Sequence, residues 1–497
     1  MPFSLDFIMT YRAFLLNRSQ IAFHSIALAI RVSSIAMLLL GLSHSARANA
    51  TGAMEQATSR PCAFSDAAFD PSTDVRALEG YRDAIAQLLK QEKFEDLDCL
   101  ADSARTGKTR FSGGAWKLRN LYIGLESPRP GHPTQEDWLQ LLELIERWAQ
   151  RNPQSITAPI ALAEAYVGYA WDARGDGFSN TVSNSGGRLF GERIAKARTI
   201  LDDASALASK CPDWYIAMQQ VARGQSWELP RATALFQQAV AFEPAYQYYY
   251  RTQATYLLPK WSGKEGDAAH FAEESANRVG GEAGDALYFL IAETIVCACE
   301  DTEFGHFSWA RLQSGFTTLE NKYGSSLISV NSFSLMGVKS NDWVAADSAF
   351  KRIGDNWDKE TWITQDWFKQ NRASAAQAGP MQIHIRATRK EAQANMQTPE
   401  GQAYLKNVQQ KLAAFEEPCL KESDSDHRKF EMQLSVGENG NAERAQTEQR
   451  PNAFTVCVMR GLYQSFLKKE TPFAPPPHAS YWLLLELDPA TFAASAK

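Results

Sequence analysis

Asp172 and Asp176 bracket Arg174 beside Trp171 in the string Ala170-Trp171-Asp172-Ala173-Arg174-Gly175-Asp176-Gly177. Two carboxylates next to an aromatic platform suit glycan or cell-wall hydrolysis, one protonating the leaving oxygen while the other activates water or attacks. The competing reading ties the loop down through Arg174 and places Trp171 in the core. Gly107-Lys108-Thr109 imitates the end of a phosphate-binding loop, but Asp102 stands where the first glycine must be, and a helix pattern precedes it. No G-x-S-x-G elbow and no H-E-x-x-H occur. His132, His270, His306, His384, His427 and His478 are scattered without a ligand-like pair. No metal and no cofactor is therefore expected, and the residues point to binding rather than catalysis.

The binding candidates are aromatic. Tyr246, Tyr248, Tyr249, Tyr250 and Trp261 are concentrated in one stretch, and Tyr246, Tyr249 and Tyr250 share a helix face. Such a stripe packs hairpins together, yet tyrosine also carries a polar handle suited to recognition. Tyr166, Tyr169, Trp171, Arg174, Tyr215, Gln219, Tyr249 and Arg251 lie on or just beyond helices expected to line a groove, with Trp261 nearby.

Those helices recur with a period. Apolar spacing from about residue 74 to 370 is helical, and strand-like alternation is nearly absent. Ala232, Phe236, Ala239 and Pro244 carry the A-x3-F-x2-A-x4-P spacing of the second helix of a tetratricopeptide repeat, a hairpin of about 34 residues. Small Ala lets two helices approach, Phe fills the gap toward the next hairpin, and Pro stops the helix. Echoes fall at Ala197, Leu201 and Ala204, at Ala268 and Ala272, and at Ala346, Phe350 and Ile353. Asp137–Pro153 followed by Ala158–Ala173 reads as a further hairpin. The fold expected is mostly α: tetratricopeptide-like stacked helical hairpins, an α-solenoid, each burying a face it cannot bury alone. Two Gly-punctuated turns interrupt it, Arg174–Arg188 and Lys260–Gly266. The first, about 15 residues long, exceeds an ordinary hairpin connection.

Residues 371–418 are charged and Gln/Ala-rich, and read as a linker with one amphipathic helix, Gly401–Phe415. Then Phe430, Met432, Leu434 and Val436 alternate with polar residues, Glu438–Asn441 supplies a turn, and Ala442–Gln449 return. A helix Ala453–Leu467 and a strand Tyr481–Leu487 complete a small β-β-α-β module over 419–490.

Residues of about 95 to 370 resemble an uncharacterised bacterial family, domain of unknown function 4034. The resemblance rests on Trp116-Lys117-Leu118 with Tyr122, on the Trp171–Gly177 string, and on Cys211-Pro212-Asp213-Trp214-Tyr215. Tyr248-Tyr249-Tyr250-Arg251, Leu258-Pro259-Lys260-Trp261 and Phe307-Ser308-Trp309-Ala310-Arg311 add to it. It implies a tetratricopeptide-like helical fold and lends no catalytic residues. The C-terminal module resembles the C-terminal domain of TonB-like energy transducers, through its helix with Cys457, the stretch Phe473–Pro477 and the final strand. It lacks their long Pro/Lys-rich spacer, which implies a docking fold rather than a transducer.

Address follows from the N-terminus. Arg31, the apolar run Ser33–Leu42 and Ala48-Asn49-Ala50 have the order of a secretory signal peptide over 1–50, with Thr51 as the mature start. The alternative is an uncleaved anchor over Ile21–Leu42, against which Arg31 stands mid-segment. A periplasmic or secreted chain without a mature membrane span is expected, and an oxidising compartment permits disulfides. Cys419–Cys457 is the first pair to expect and Cys62–Cys99 the second. Cys211 with Cys297 or Cys299 follows. Lys+Arg 51 against Asp+Glu 57 removes the basic footprint of a nucleic-acid binder. Apolar residues at 44% and charged ones at 22% exclude wholesale disorder and a multi-span membrane protein. The function expected is an exported scaffold that grips a protein or peptide in a groove.

Overall fold

The computed structural model describes residues 62–128, 133–175, 177, 179–296, 301–420, 429–448 and 452–488. The export signal, Asp176, Cys297, Cys299, His132 and His427 lie outside the described residues. Pro61–Lys497 form one compact unit. Its described residues are mostly helical, with a three-stranded antiparallel sheet near the C-terminus.

Helices α1 (Ala77–Lys90), α2 (Phe94–Gly107) and α3 (Lys117–Ile123) come first, followed by α4 (Gln135–Arg151). The start of α4 is specified locally. The Thr134 hydroxyl accepts from Asp137 N–H, and the Asp137 carboxylate accepts from Thr134 N–H. Its Trp138, Leu141, Leu142, Ile145 and Trp148 fall on one helical stripe, and all are buried.

From there helices touch in sequence-adjacent pairs. They are α5 (Thr157–Arg174) with α6 (Asn184–Ala204), α7 (Pro212–Gly224) with α8 (Leu229–Phe242), and α9 (Tyr248–Tyr256) with α10 (Asp267–Val279). After α11 (Gly281–Ile295) and the short α12 (Asp301–Phe304), α13 (Trp309–Tyr323) packs on α11, and α14 (Leu327–Lys339) on α15 (Trp343–Ile353). The first members α5, α7, α9, α11 and α14 touch one another in turn. Every Ala/Phe echo lies buried on a second member: Ala197, Leu201 and Ala204 on α6, Ala232, Phe236 and Ala239 on α8, Ala268 and Ala272 on α10, and Ala346, Phe350 and Ile353 on α15. Close approach needs small residues. A Cβ on Gly315 of α13 would stand 2.1 Å from the Asp285 carbonyl of α11.

The turn after α5 is shorter than its sequence suggests. Ser183 caps α6 by accepting from Gly186 N–H, so the Ser/Asn/Gly run after Asn184 is helical and only residues 175–183 connect the two helices.

The N-terminal segment reaches the opposite end of the helical array. Gly113 N–H donates to Gly324 O at 3.1 Å, and Leu327 N–H donates to Pro71 O at 2.9 Å. The Arg110 guanidinium lies 4.3 Å from the Trp116 ring and 4.8 Å from that of Tyr323. Trp116 is buried edge-on to Tyr246, at 4.7 Å between ring centres. Residues 62–128 are thus wedged against α13, the start of α14 and the approach to α9.

The expected linker 371–418 is instead almost wholly helical, in two helices that meet at Gln397 and Thr398. The short α16 (Lys359–Trp362) is followed by α17 (Gln365–Met396), 32 residues long, and then α18 (Pro399–Cys419). Ala375, Gly379 and Ala392 let α17 lie against its neighbours. Its buried Gln382 receives Val344 N–H and donates to Asn341 O, and the Thr388 hydroxyl bonds Gln433 Oε1 at 2.6 Å. Polar composition suggested solvent, but those side chains have protein partners, so α17 joins the helical pairs to the sheet.

The module has the expected element order. Strands β1 (Phe430–Val436), β2 (Ala442–Gln446) and β3 (Tyr481–Leu487) lie in the order β2-β1-β3, with helix α19 (Ala453–Leu467) between β2 and β3 in the chain. Leu434 pairs with Ala445 on one side and Leu483 on the other. The hairpin turns at Gly440, whose φ is +80°. Disulfides join Cys419 to Cys457 and Cys62 to Cys99, with Cα–Cα distances of 5.6 and 5.8 Å. Cys211 is a free, buried thiol. Among the described residues no helix is long and apolar enough to cross a membrane.

Candidate binding site

Two clefts open where α3 meets the first members of the helix pairs, the larger one also bounded by α1. The larger, about 930 Å³, lies between α1, α3, α9, α11, α14 and the residues around α16. The smaller, about 580 Å³, is walled by α3, α4, α5, α7 and α9. Ile123, Tyr248 and Arg251 line both. The two clefts therefore adjoin at α3 and α9.

Arg251 is held there. Its Nε donates to the Thr294 hydroxyl, its Nη2 stands 3.4 Å from Glu293 Oε2, and its guanidinium lies 5.5 Å from the Tyr248 ring. A largely buried charge cluster forms part of the wall of the smaller cleft. Arg119 Nη1 donates to both Glu164 oxygens at 2.6 and 2.8 Å and to Asp213 Oδ1 at 3.2 Å, and Nη2 reaches Glu126 at 2.9 Å. Tyr246 OH donates to Asp213 Oδ2 at 2.5 Å. One guanidinium cannot neutralise three carboxylates, and burial pushes the Glu164 carboxyl up to about 8, against the pull of Arg119. The Asp213 carboxyl is also raised by burial. The cluster ties α3, α5, α7 and the approach to α9 together.

The residues singled out from the sequence do not share one surface. Trp171 and Arg251 line a cleft, as does Tyr248 from the aromatic stripe. Tyr169, Gln219 and Tyr249 are core. Tyr169 stacks on Trp138 at 5.1 Å, Tyr249 is wholly buried, and Gln219 donates to the Tyr249 carbonyl. A first helix in this fold is buried on several sides, so helical phase alone could not tell its cleft side from its packed sides. Tyr215 is half-buried between Trp214, Phe242 and Tyr249, on the packing side. Arg174 folds back, donating to the Gly175 and Gly177 carbonyls at 3.1 and 3.0 Å. Trp261 stands edge-on to Trp171 at 5.7 Å.

Asp172 is exposed at the rim of the smaller cleft. Its expected partner Asp176 is outside the described residues, so the carboxylate pair is not assembled on the described side chains. Among the described residues no group of His, Cys, Asp and Glu has the arrangement of a metal site.

Sequence reasoning missed Arg82, Arg119, Asn120, Glu164 and Arg223. The string Lys117–Asn120 was within reach as a polar interruption in an apolar helix, but only the fold shows that Arg119 faces α5 and α7 while Asn120 receives Arg82 of α1. No family model matches the chain, and no curated protein matches it. Fold and clefts define a mostly helical protein with a small antiparallel sheet and an extended polar-aromatic depression on the first members of its helix pairs.

Proposed function

We propose that this is an exported, tetratricopeptide-like binding scaffold of the bacterial periplasm, gripping a protein or peptide segment along its first helices. The observation that carries the reading is the pair of adjoining clefts, about 930 and 580 Å³, walled by successive helix pairs and meeting at Tyr248 and Arg251. Clefts of this size that mix aromatic surface with a few placed polar groups suit ligand capture. The two disulfides fit an oxidising compartment. The resemblance to domain of unknown function 4034 agrees with this reading, and the TonB-like module would supply a second docking surface along the outer edge of β2.

Photo-crosslinking in envelope extract from the source bacterium, with a crosslinker at Lys359, tests it. The wild type should capture a peptide-containing partner, and Arg251→Ala with unchanged melting should reduce capture several-fold. Equal capture by both proteins, or none by either, would refute the reading. The second reading, glycan hydrolysis, draws on Trp138, Trp171 and Asp172 lining one cleft. Release of cell-wall fragments by the wild type and its loss in Asp172→Asn would favour it instead.

A further inference from the structure

Arg223, near the C-terminal end of α7, lines the smaller cleft. Its guanidinium carbon stands 5.4 Å from the Trp171 ring centre and 5.2 Å from that of Trp261. The two indoles stand edge-on to each other at 5.7 Å, so the guanidinium lies in the corner they form and packs against both rings. Its Nε is enclosed and has no hydrogen-bond partner. Among the described residues no carboxylate forms an ion pair with it. Burial alone shifts its pKa, downward, with no neighbouring charge to compensate.

The other guanidiniums of this cleft are engaged. Arg119 is shared among Glu126, Glu164 and Asp213, and Arg251 is held by Thr294 and Glu293. Arg174 lies 5.3 Å from the same Trp171 ring but is directed at loop carbonyls. A half-buried guanidinium without a counterion is unfavourable unless something supplies the negative charge. Gln220, Thr252 and Thr255 line the same cleft and could add hydrogen bonds to an oxyanion.

We infer that Arg223 is the anion anchor of the smaller cleft and takes a carboxylate of the bound peptide segment, with Trp171 covering the adjoining apolar part. A guanidinium fork matches a carboxylate with two parallel hydrogen bonds, which an ammonium cannot reproduce. This rests on the peptide-binding reading above and adds the chemistry of the group recognised.

The test uses the mature chain and its tryptophan fluorescence at low salt. Four probes are compared: acetyl-trialanine with a free C-terminus, its C-terminal amide, an amidated acetyl-Ala-Glu-Ala, and inorganic phosphate. One of the two carboxylate peptides should bind about tenfold tighter than the neutral amide, and which one does so tells a chain terminus from an acidic side chain. Arg223→Gln should bring that ratio to within about twofold, and Arg223→Lys should restore only part of it. Equal binding of the neutral and anionic peptides to the wild type overturns the inference and leaves the peptide-binding reading standing, without need of a variant. A fluorescence and melting response to phosphate, absent in Arg223→Gln, with no response to any peptide, keeps the anion site and removes the peptide reading. No response to any of the four probes overturns both.

Discussion

Arg119 serves three carboxylates, and the consequence is a pH dependence. The Glu164 carboxyl titrates near 8 in the folded protein, against 4.5 as its ordinary value. Between those values the folded chain keeps a proton that the unfolded chain releases. Stability from this group is therefore complete below about 4.5 and is lost as pH rises through about 8. Urea unfolding should show stability falling across that window, by up to about 1.4 kcal/mol per pH unit, and Glu164→Gln should flatten the slope. A wild-type profile that rises from pH 5 to 8, unaltered by Glu164→Gln, would contradict the protonated cluster. Removing the cation is harsher. Arg119→Met leaves Asp213 buried without its ion pair and should cost about 3–5 kcal/mol in denaturant titrations. Cys211 makes a simpler statement at the same scale. Burial pushes its thiol up to about 12, so the native protein should resist iodoacetamide at Cys211 at pH 8, with labelling only after denaturation.

At the scale of elements, backbone contact between helices sets tolerances that residue chemistry does not. Gly315 allows α13 onto α11, and an alanine there must displace the Asp285 carbonyl or the helix that carries it. Gly315→Ala should lower stability by about 1–3 kcal/mol in thermal or urea melts, whereas Gly191, which has open space around it, should accept alanine with little change. The Cys419–Cys457 bridge ties α18 to α19, both of which pack on the apolar cluster of Tyr404, Val408 and Val458. Replacing both cysteines by alanine should cost about 2–4 kcal/mol. Limited proteolysis should then cut within α18 or α19 sooner than in the disulfide-bonded protein, and unchanged cleavage kinetics would show that packing alone holds the pair.

For the whole molecule, the consequential contact is the closure of residues 62–128 against α13 and α14. Gly113 has φ +74°, and a Cβ there would meet the Ser326 Cβ at 2.4 Å. Gly113→Ala thus combines backbone strain with a steric clash at the seam between the two ends of the array. It should lower the melting temperature by several degrees and reduce hydrogen-exchange protection in α14, which is more than two hundred residues away along the chain. Loss of protection confined to residues near 113 would mean that the seam does not couple the two ends. Because the larger cleft is walled on one side by α1 and α3, the same variant should also weaken capture of a groove ligand, measurable with the Lys359 crosslinker.

Local chemistry determined a good deal in advance. The Ala232, Phe236 and Ala239 spacing marks a buried helix face wherever it occurs, because it needs only one neighbour. The alternation from Phe430 to Val436 and the Asn-Gly turn specify a hairpin from within their own few residues. Both disulfide pairs were among those an oxidising compartment allows, Cys419–Cys457 foremost because the two cysteines flank one short module. Tertiary structure alone decided which side of each first helix stays open. Tyr249 and Arg251 point to opposite sides of α9, and which side is packed is decided by segments distant in sequence: Tyr215 meets Tyr249, whereas Thr294 and Glu293 hold Arg251 at the clefts. It likewise turned a polar stretch, 371–418, into packed helix by supplying partners for Gln382 and Thr388, and left Arg223 against two indoles without a carboxylate. Periodicity reports that a face is buried; only the arrival of distant segments determines what it is buried against and where space is left for a ligand.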